Sequence, residues 1–236
     1  MVNETFYLDG VDALSVGIRL REPITFSGAT PIIDTQKIPG RNGVLTFHTG
    51  AYKNRTAEAR CFSLEENVQN AVARASAFLL SKRGYRRLEC SNDTDHFWKA
   101  MVSNGASVED RARLLNPFEI KFDCMPQRWA KSGEAAIEFT ESGSLYNNFG
   151  GVALPFIKVY GNGSGTINVG NYEVVVKSID GVLNLDSETQ NAYNENGNQN
   201  MNISAPVFPE LEVGNNGVSF TGDITKLEII PRWWDF

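Results

Sequence analysis

The apolar positions of the chain change period once in its first half. From Ser63 onward, Val68, Ala71, Val72, Ala75, Phe78 and Leu79 fall on one face of a 3.6-residue repeat, and Ser63 and Glu66 stand at capping-box spacing. This predicts one main helix, ending at Gly84 after the basic turn Lys82-Arg83. Around it the pattern has the two-residue period of strands, at Ile18–Leu20, Val44–Thr49, Thr56–Phe62, Arg86–Cys90, Phe97–Val102 and Pro117–Cys124. A single helix on a β-rich sheet is an α+β unit.

Beyond about residue 130 no helical period survives. Short alternating runs at Phe156–Val159, Thr166–Val169, Tyr172–Val176, Val182–Leu185, Met201–Ile203, Leu211–Val213, Val218–Phe220 and Ile224–Ile230 are parted by Gly, Asn and Asp. Their spacing is that of an all-β antiparallel sandwich. Charge changes at the same place. Residues 1–130 hold 17 Lys and Arg against 15 Asp and Glu, whereas 131–236 hold 5 against 13, and glycine divides 8 to 13. The expected organisation is two domains, 1–130 and 131–236, joined near Ala130–Gly133. An acidic second half repels phosphate, which argues against general nucleic-acid affinity.

Candidate chemistry is sparse. Three widely spaced cysteines, Cys61, Cys90 and Cys124, form no disulfide framework and no zinc ribbon, and suit a reducing cytosol. The two histidines, His48 and His96, lack metal-ligand spacing and read as structural or surface residues. No nucleophile elbow, phosphate-binding loop or dinucleotide fingerprint is present, so no catalytic residue, cofactor or metal is nominated. Gly161-Asn162-Gly163-Ser164-Gly165 precedes a strand and reads as a hairpin turn; Asn194–Asn200 lacks the acidic spacing of a calcium loop and reads as a solvated turn. The start of the chain has neither a basic n-region nor an apolar core, and no run is long enough to span a bilayer, so a soluble, unexported protein is expected.

Two clusters stand out. Lys82, Arg83, Arg86 and Arg87 straddle the predicted helix end, as a solvated cap or a contact for an acidic partner. At the other end of the sequence, Trp233, Trp234 and Phe236 crowd the last four residues, and the tryptophans are expected to be structural anchors on apolar surface at the domain junction.

The segment Ile38-Pro39-Gly40-Arg41-Asn42-Gly43-Val44-Leu45, followed by Thr49-Gly50-Ala51-Tyr52-Lys53-Asn54-Arg55, resembles the signature of the siphophage distal tail protein (Dit) family: a P-G-R-x-G turn, a strand, then G-x-Y-x-x-R. The resemblance continues through Cys61-Phe62, Phe122-Asp123-Cys124-Met125-Pro126, Tyr146-Asn147-Asn148, Leu185-Asp186-Ser187-Glu188 and the closing Pro231-Arg232-Trp233-Trp234. It implies a ring-forming N-terminal (belt) domain and a galectin-like C-terminal sandwich. The implied function is that of a structural, non-enzymatic virion protein at the distal end of the tail, made in the bacterial cytoplasm. It would form a homo-hexamer joining the tail tube protein to the hub or fibre protein of the tail tip or baseplate, with receptor-binding proteins as further partners. DNA would transit the central channel without specific binding, and no membrane is entered. Gly40, Arg41, Asn42, Gly43, Tyr52 and Arg55 are the expected assembly and turn motif, with Gly40 and Gly43 at positive φ and Arg41 free to reach a carboxylate or backbone carbonyls. The alternative is a carbohydrate-binding, galectin-like host-recognition module, against which stands the absence of His from residues 131–236.

Overall fold

A computed structural model describes residues 4–65, 67–104 and 116–236. The chain forms two compact units, one of residues 1–128 with Phe236 and the other of Trp129–Asp235. Secondary structure is mostly β, in curled antiparallel sheets, with one α-helix among the described residues.

The first unit contains β1 (Phe6–Leu8), β2 (Thr30–Gln36), β3 (Leu45–Lys53), β4 (Arg55–Ser63), α1 (Val68–Leu80), β5 (Arg86–Cys90), β6 (Asp93–Val102) and β7 (Asn116–Cys124). Its main sheet runs β1, β5, β6, β7, β4, with short strands on both flanks. β7 and β4 pair over their whole length, from Asn116 opposite Ser63 to Cys124 opposite Arg55. Ala57, Ala59 and Cys61 alternate inward between Glu58 and Arg60, and these small side chains share one core with Ala75, Phe78 and Leu79 of α1 and with Phe6, Leu88 and Phe122. The Cys61, Cys90 and Cys124 thiols are buried and free, and burial pushes each up to about 12.

The helix begins later than the capping pattern predicts. Ser63 is held extended by its pairing with Asn116, and its hydroxyl accepts from the Glu65 amide at 3.2 Å. Asn67 is the cap instead, its side chain accepting from the Asn70 amide at 3.1 Å; Glu66 lies outside the described residues. At the far end the helix stops at Leu80, before the basic turn, and its last carbonyls are closed by Arg86. The Arg86 guanidinium is buried, donates from Nη1 to the carbonyls of Phe78 (2.8 Å) and Leu79 (3.3 Å), and donates from Nε to Asp9 at 3.0 Å. Lys82 also pairs with Asp9, at 3.0 Å. Arg87 pairs with Glu89 and sits over the Phe97 ring, so three members of the basic cluster are spent inside the first unit.

The second unit contains β8 (Ile137–Phe139), β9 (Gly143–Asn147), β10 (Phe156–Val169), β11 (Tyr172–Asp186), β12 (Asn191–Asn194) and β13 (Gly214–Ile230). The sheet order is β8, β13, β10, β11, β12, with β9 also on β13. Runs that the sequence separates into six strands are three long ones. Gly161–Gly165 is therefore no hairpin turn: it lies inside β10, where the pairing register shifts against both neighbours. Glycine is needed there for close approach, since a Cβ on Gly161 or Gly165 would come within 2.3 Å of the carbonyl oxygens of Asp223 and Thr221 respectively. The Ser164 amide, displaced from the ladder, donates to the Asp223 carboxylate at 2.9 Å. The β10–β11 turn is Gly170-Asn171, between the paired Val169 and Tyr172. Inward residues from both ends of these strands, such as Ile157 and Val169, Val174 and Leu185, and Val218 and Ile229, enter a single core, so the sheet curls around it.

Candidate assembly surface

β2 and β3 form a two-stranded sheet of their own, and nearly every residue on them is exposed. Sequence reasoning identified most of β3 and missed β2, because Pro31 interrupts its apolar pattern. The register pairs Thr30 with Lys53 and Gln36 with Leu45, and is interrupted between Pro31 and Ile33 opposite Gly50 (φ 79°). There the Thr49 hydroxyl donates to the Ile32 carbonyl at 3.0 Å. A two-stranded ribbon without a packed face is only marginally stable in water. This one nevertheless exposes Ile33, Ile38, Val44 and Phe47, the last at 50%.

The expected motif divides between the two ends of this hairpin. At the tip, the Arg41 amide donates to the Ile38 carbonyl at 3.2 Å, and Gly40 (φ 79°) and Gly43 (φ 82°) take the left-handed conformation that a Cβ would strain. Arg41 and Asn42 are exposed, and the Arg41 side chain makes no hydrogen bond or ion pair among the described residues. At the base, Tyr52 lies 4.3 Å, centroid to centroid, from the Phe236 ring. Arg55 donates from Nε to the Ser27 carbonyl at 2.9 Å and sits over the Phe26 ring. Asn54, which sequence reasoning did not single out, donates to Tyr85 (2.6 Å) and Asp123 (2.9 Å). The base is anchored by polar contacts while the tip offers an unpaired cation among apolar side chains.

Trp233 and Trp234 lie in the second unit. Trp233 is 6% exposed, stacks on Phe149 with ring centroids 6.2 Å apart, and its carbonyl accepts from the Ala130 amide at 2.9 Å. Trp234 donates from Nε1 to the Val152 carbonyl at 3.0 Å, with its indole packed over Gly151. Between Pro231 and these rings, Arg232 (φ 57°) forks onto Asp186 at 2.7 and 3.3 Å. Burial raises the Asp186 pKa, but the guanidinium outweighs it and holds the carboxyl below its ordinary value. Elsewhere, His96 Nδ1 is 2.7 Å from Asp93 Oδ1, and the amides of Asn194–Asn202 bond largely to one another. No group of His, Cys, Asp and Glu able to hold a metal ion occurs among the described residues, and no described helix is long and apolar enough to cross a membrane.

No family model matches the chain, and no curated protein matches it in sequence. Among solved structures it is similar to the Dit protein (gp 19.1) of phage SPP1, described as a paradigm of the hub adsorption apparatus in phages that infect Gram-positive bacteria. Identity is 15%, with a TM-score of 0.73 over 96% of this chain and 98% of that one. With nearly the whole of both chains superposed, the protein has the fold of the siphophage distal tail protein Dit.

Proposed function

We propose that this chain is a structural distal tail protein of a siphophage: a non-enzymatic component of the virion tail tip whose first unit closes into a six-fold ring around a channel for DNA. The likeness to the SPP1 hub protein across both units carries this reading. The ring would join the tail tube to the hub or fibre protein, with the second unit, in the role of a galectin-like sandwich, directed outward to receptor-binding proteins. The β2–β3 hairpin supports it physically. By register Phe47 lies on one face of the hairpin and Ile33 on the other, so each exposed side chain is covered only against another surface, and a head-to-tail contact that closes on itself provides that cover without forming a fibre. In such a contact Arg41 supplies a charge to pair across the interface.

Native mass spectrometry and electron microscopy of the full chain test the proposal. The expected species is a ring of six 26.1 kDa chains, and Phe47→Asp, an exposed change outside both cores, is expected to give folded monomers. A wild-type chain that stays monomeric at every attainable concentration, or a Phe47→Asp variant that assembles normally, overturns it.

A further inference from the structure

The outward face of the second unit carries a groove that the assembly reading does not use. Phe156, Lys158 and Tyr160 share one face of β10 by the two-residue period, opposite the inward Ile157 and Val159. Register then sets Lys158 beside Asn184 and Tyr160 beside Val182. With Asp180 of β11 and the turn Asn194–Asn196, these side chains line a volume of about 590 Å³. That is the size of a small-ligand site.

The groove is both aromatic and polar. Its two rings stand roughly 13 Å apart along the strand, four residues at the β rise. Each is steadied by a cation that does not line the groove: Arg232 lies 5.6 Å from the Phe156 ring centroid, and Lys226 Nζ lies 4.3 Å from that of Tyr160. Those cations are themselves fixed, Arg232 by Asp186 and Lys226 by Glu138 and Glu228. Between the rings, the side chains of Lys158 and Asn184 make no hydrogen bond among the described residues, and neither does that of Asp180, which register places just beyond Tyr160. The Asn194 side-chain oxygen Oδ1 accepts from the Asn196 backbone amide (2.9 Å) and from Gln199 Nε2 (3.1 Å), which leaves its NH₂ group as a donor.

Flat apolar surfaces separated by polar donors and acceptors, the Asn184 and Asn194 amides among them, match a ligand that alternates C–H faces with hydroxyl edges. Charge narrows the class, because Asp180 and Glu195 outnumber Lys158 in the lining and a polyanion is repelled. We propose that this groove binds a neutral oligosaccharide lying along β10 from Phe156 to Tyr160. The inference rests on the second unit alone and holds whether or not the ring forms.

An array of neutral hexose, N-acetylhexosamine and pentose oligosaccharides, followed by saturation-transfer NMR on the full chain with the best hit, tests it. Expected is saturable binding with Kd on the order of 1 mM, typical of a shallow single site. Asn184→Ala, which breaks no internal bond, is expected to weaken binding about tenfold at unchanged melting temperature. Tyr160→Ala is expected to weaken binding about tenfold through the lost ring, while Tyr160→Phe keeps most of the affinity because the hydroxyl is engaged by Glu228. Three results overturn the proposal: no neutral saccharide bound, binding of poly(glycerol phosphate) only, or saccharide binding indifferent to both alanine variants.

Discussion

Replacing Arg86 by Met keeps most of the apolar volume of its stem and removes the guanidinium that closes α1. Two helix carbonyls, those of Phe78 and Leu79, lose their charged donor in a place where the arginine is only 7% exposed. Each such loss costs roughly 1–3 kcal/mol, the longer 3.3 Å bond at the lower end. Asp9 is not orphaned, since Lys82 (3.0 Å) and the Arg87 amide (3.1 Å) still donate to it and its side chain is partly exposed. The expected total is therefore about 3 kcal/mol, at the low end of the figure for stripping one partner from a fully buried ion pair. In a unit of this size that lowers the melting transition by roughly 10 °C, read by circular dichroism or calorimetry. Arg86→Lys, with a single ammonium to serve three acceptors, is expected to recover less than half. A shift below about 2 °C for Arg86→Met would refute the assignment of Arg86 as the helix closure. The same network sets an acid limb. Burial pushes the Asp9 carboxyl up, but the bonds from Lys82, the Arg87 amide and Arg86 outweigh it, so its pKa lies below the ordinary 3.8. Because the folded value is the lower one, its contribution is complete above the unfolded pKa and is lost as pH falls through the folded one. Asp9→Asn is expected to lower stability at pH 7 and to flatten the loss of stability below about pH 4.

Three further outcomes are expected. Trp233→Ala is expected to cost about 3–5 kcal/mol in denaturant unfolding of the second unit, and Trp234→Ala, half-buried, distinctly less; equal small effects would contradict the anchoring role. Gly165→Ala places a methyl 2.3 Å from the Thr221 carbonyl oxygen and is expected to cost about 1–3 kcal/mol, while Gly28→Ala, with nothing within 4 Å, serves as the neutral control for the same melt. Native protein at pH 8 is expected to leave a thiol-disulfide reagent unreacted, with all three cysteines titrating only after unfolding; a fast native reaction would show that burial does not hold the thiols near 12.

What was legible in the sequence is what short-range periodicity encodes. The buried face of α1 and the alternation Ala57, Ala59, Cys61 follow directly from it, as does the turn chemistry of Gly40 and Gly43. The glycines of 161–165 were misread because glycine marks a turn and a close strand crossing alike, and only the carbonyls of Thr221 and Asp223, some sixty residues on, decide between them. Arg86 illustrates the same limit: its partners are the end of the preceding helix and an aspartate far upstream, which no local motif announces. The groove on β10 was invisible for a related reason. Phe156, Asn184 and Asn194 lie on three different strands, and register alone makes them neighbours.

The kink line that crosses β10 and β13 at Gly161–Gly165 and Gly222–Ile224 has a consequence for how the second unit opens. Each of the long strands supplies side chains at both its ends to the one core, so no peptide segment belongs to only one half of it. Local unfolding normally detaches contiguous segments that carry few shared contacts. Here a fluctuation that frees Ile157 pulls on the same backbone that holds Val169. Amide hydrogen exchange along residues 156–169 is therefore expected to show one shared opening free energy, with the kink acting as a hinge in shape and as a continuous bond in cooperativity.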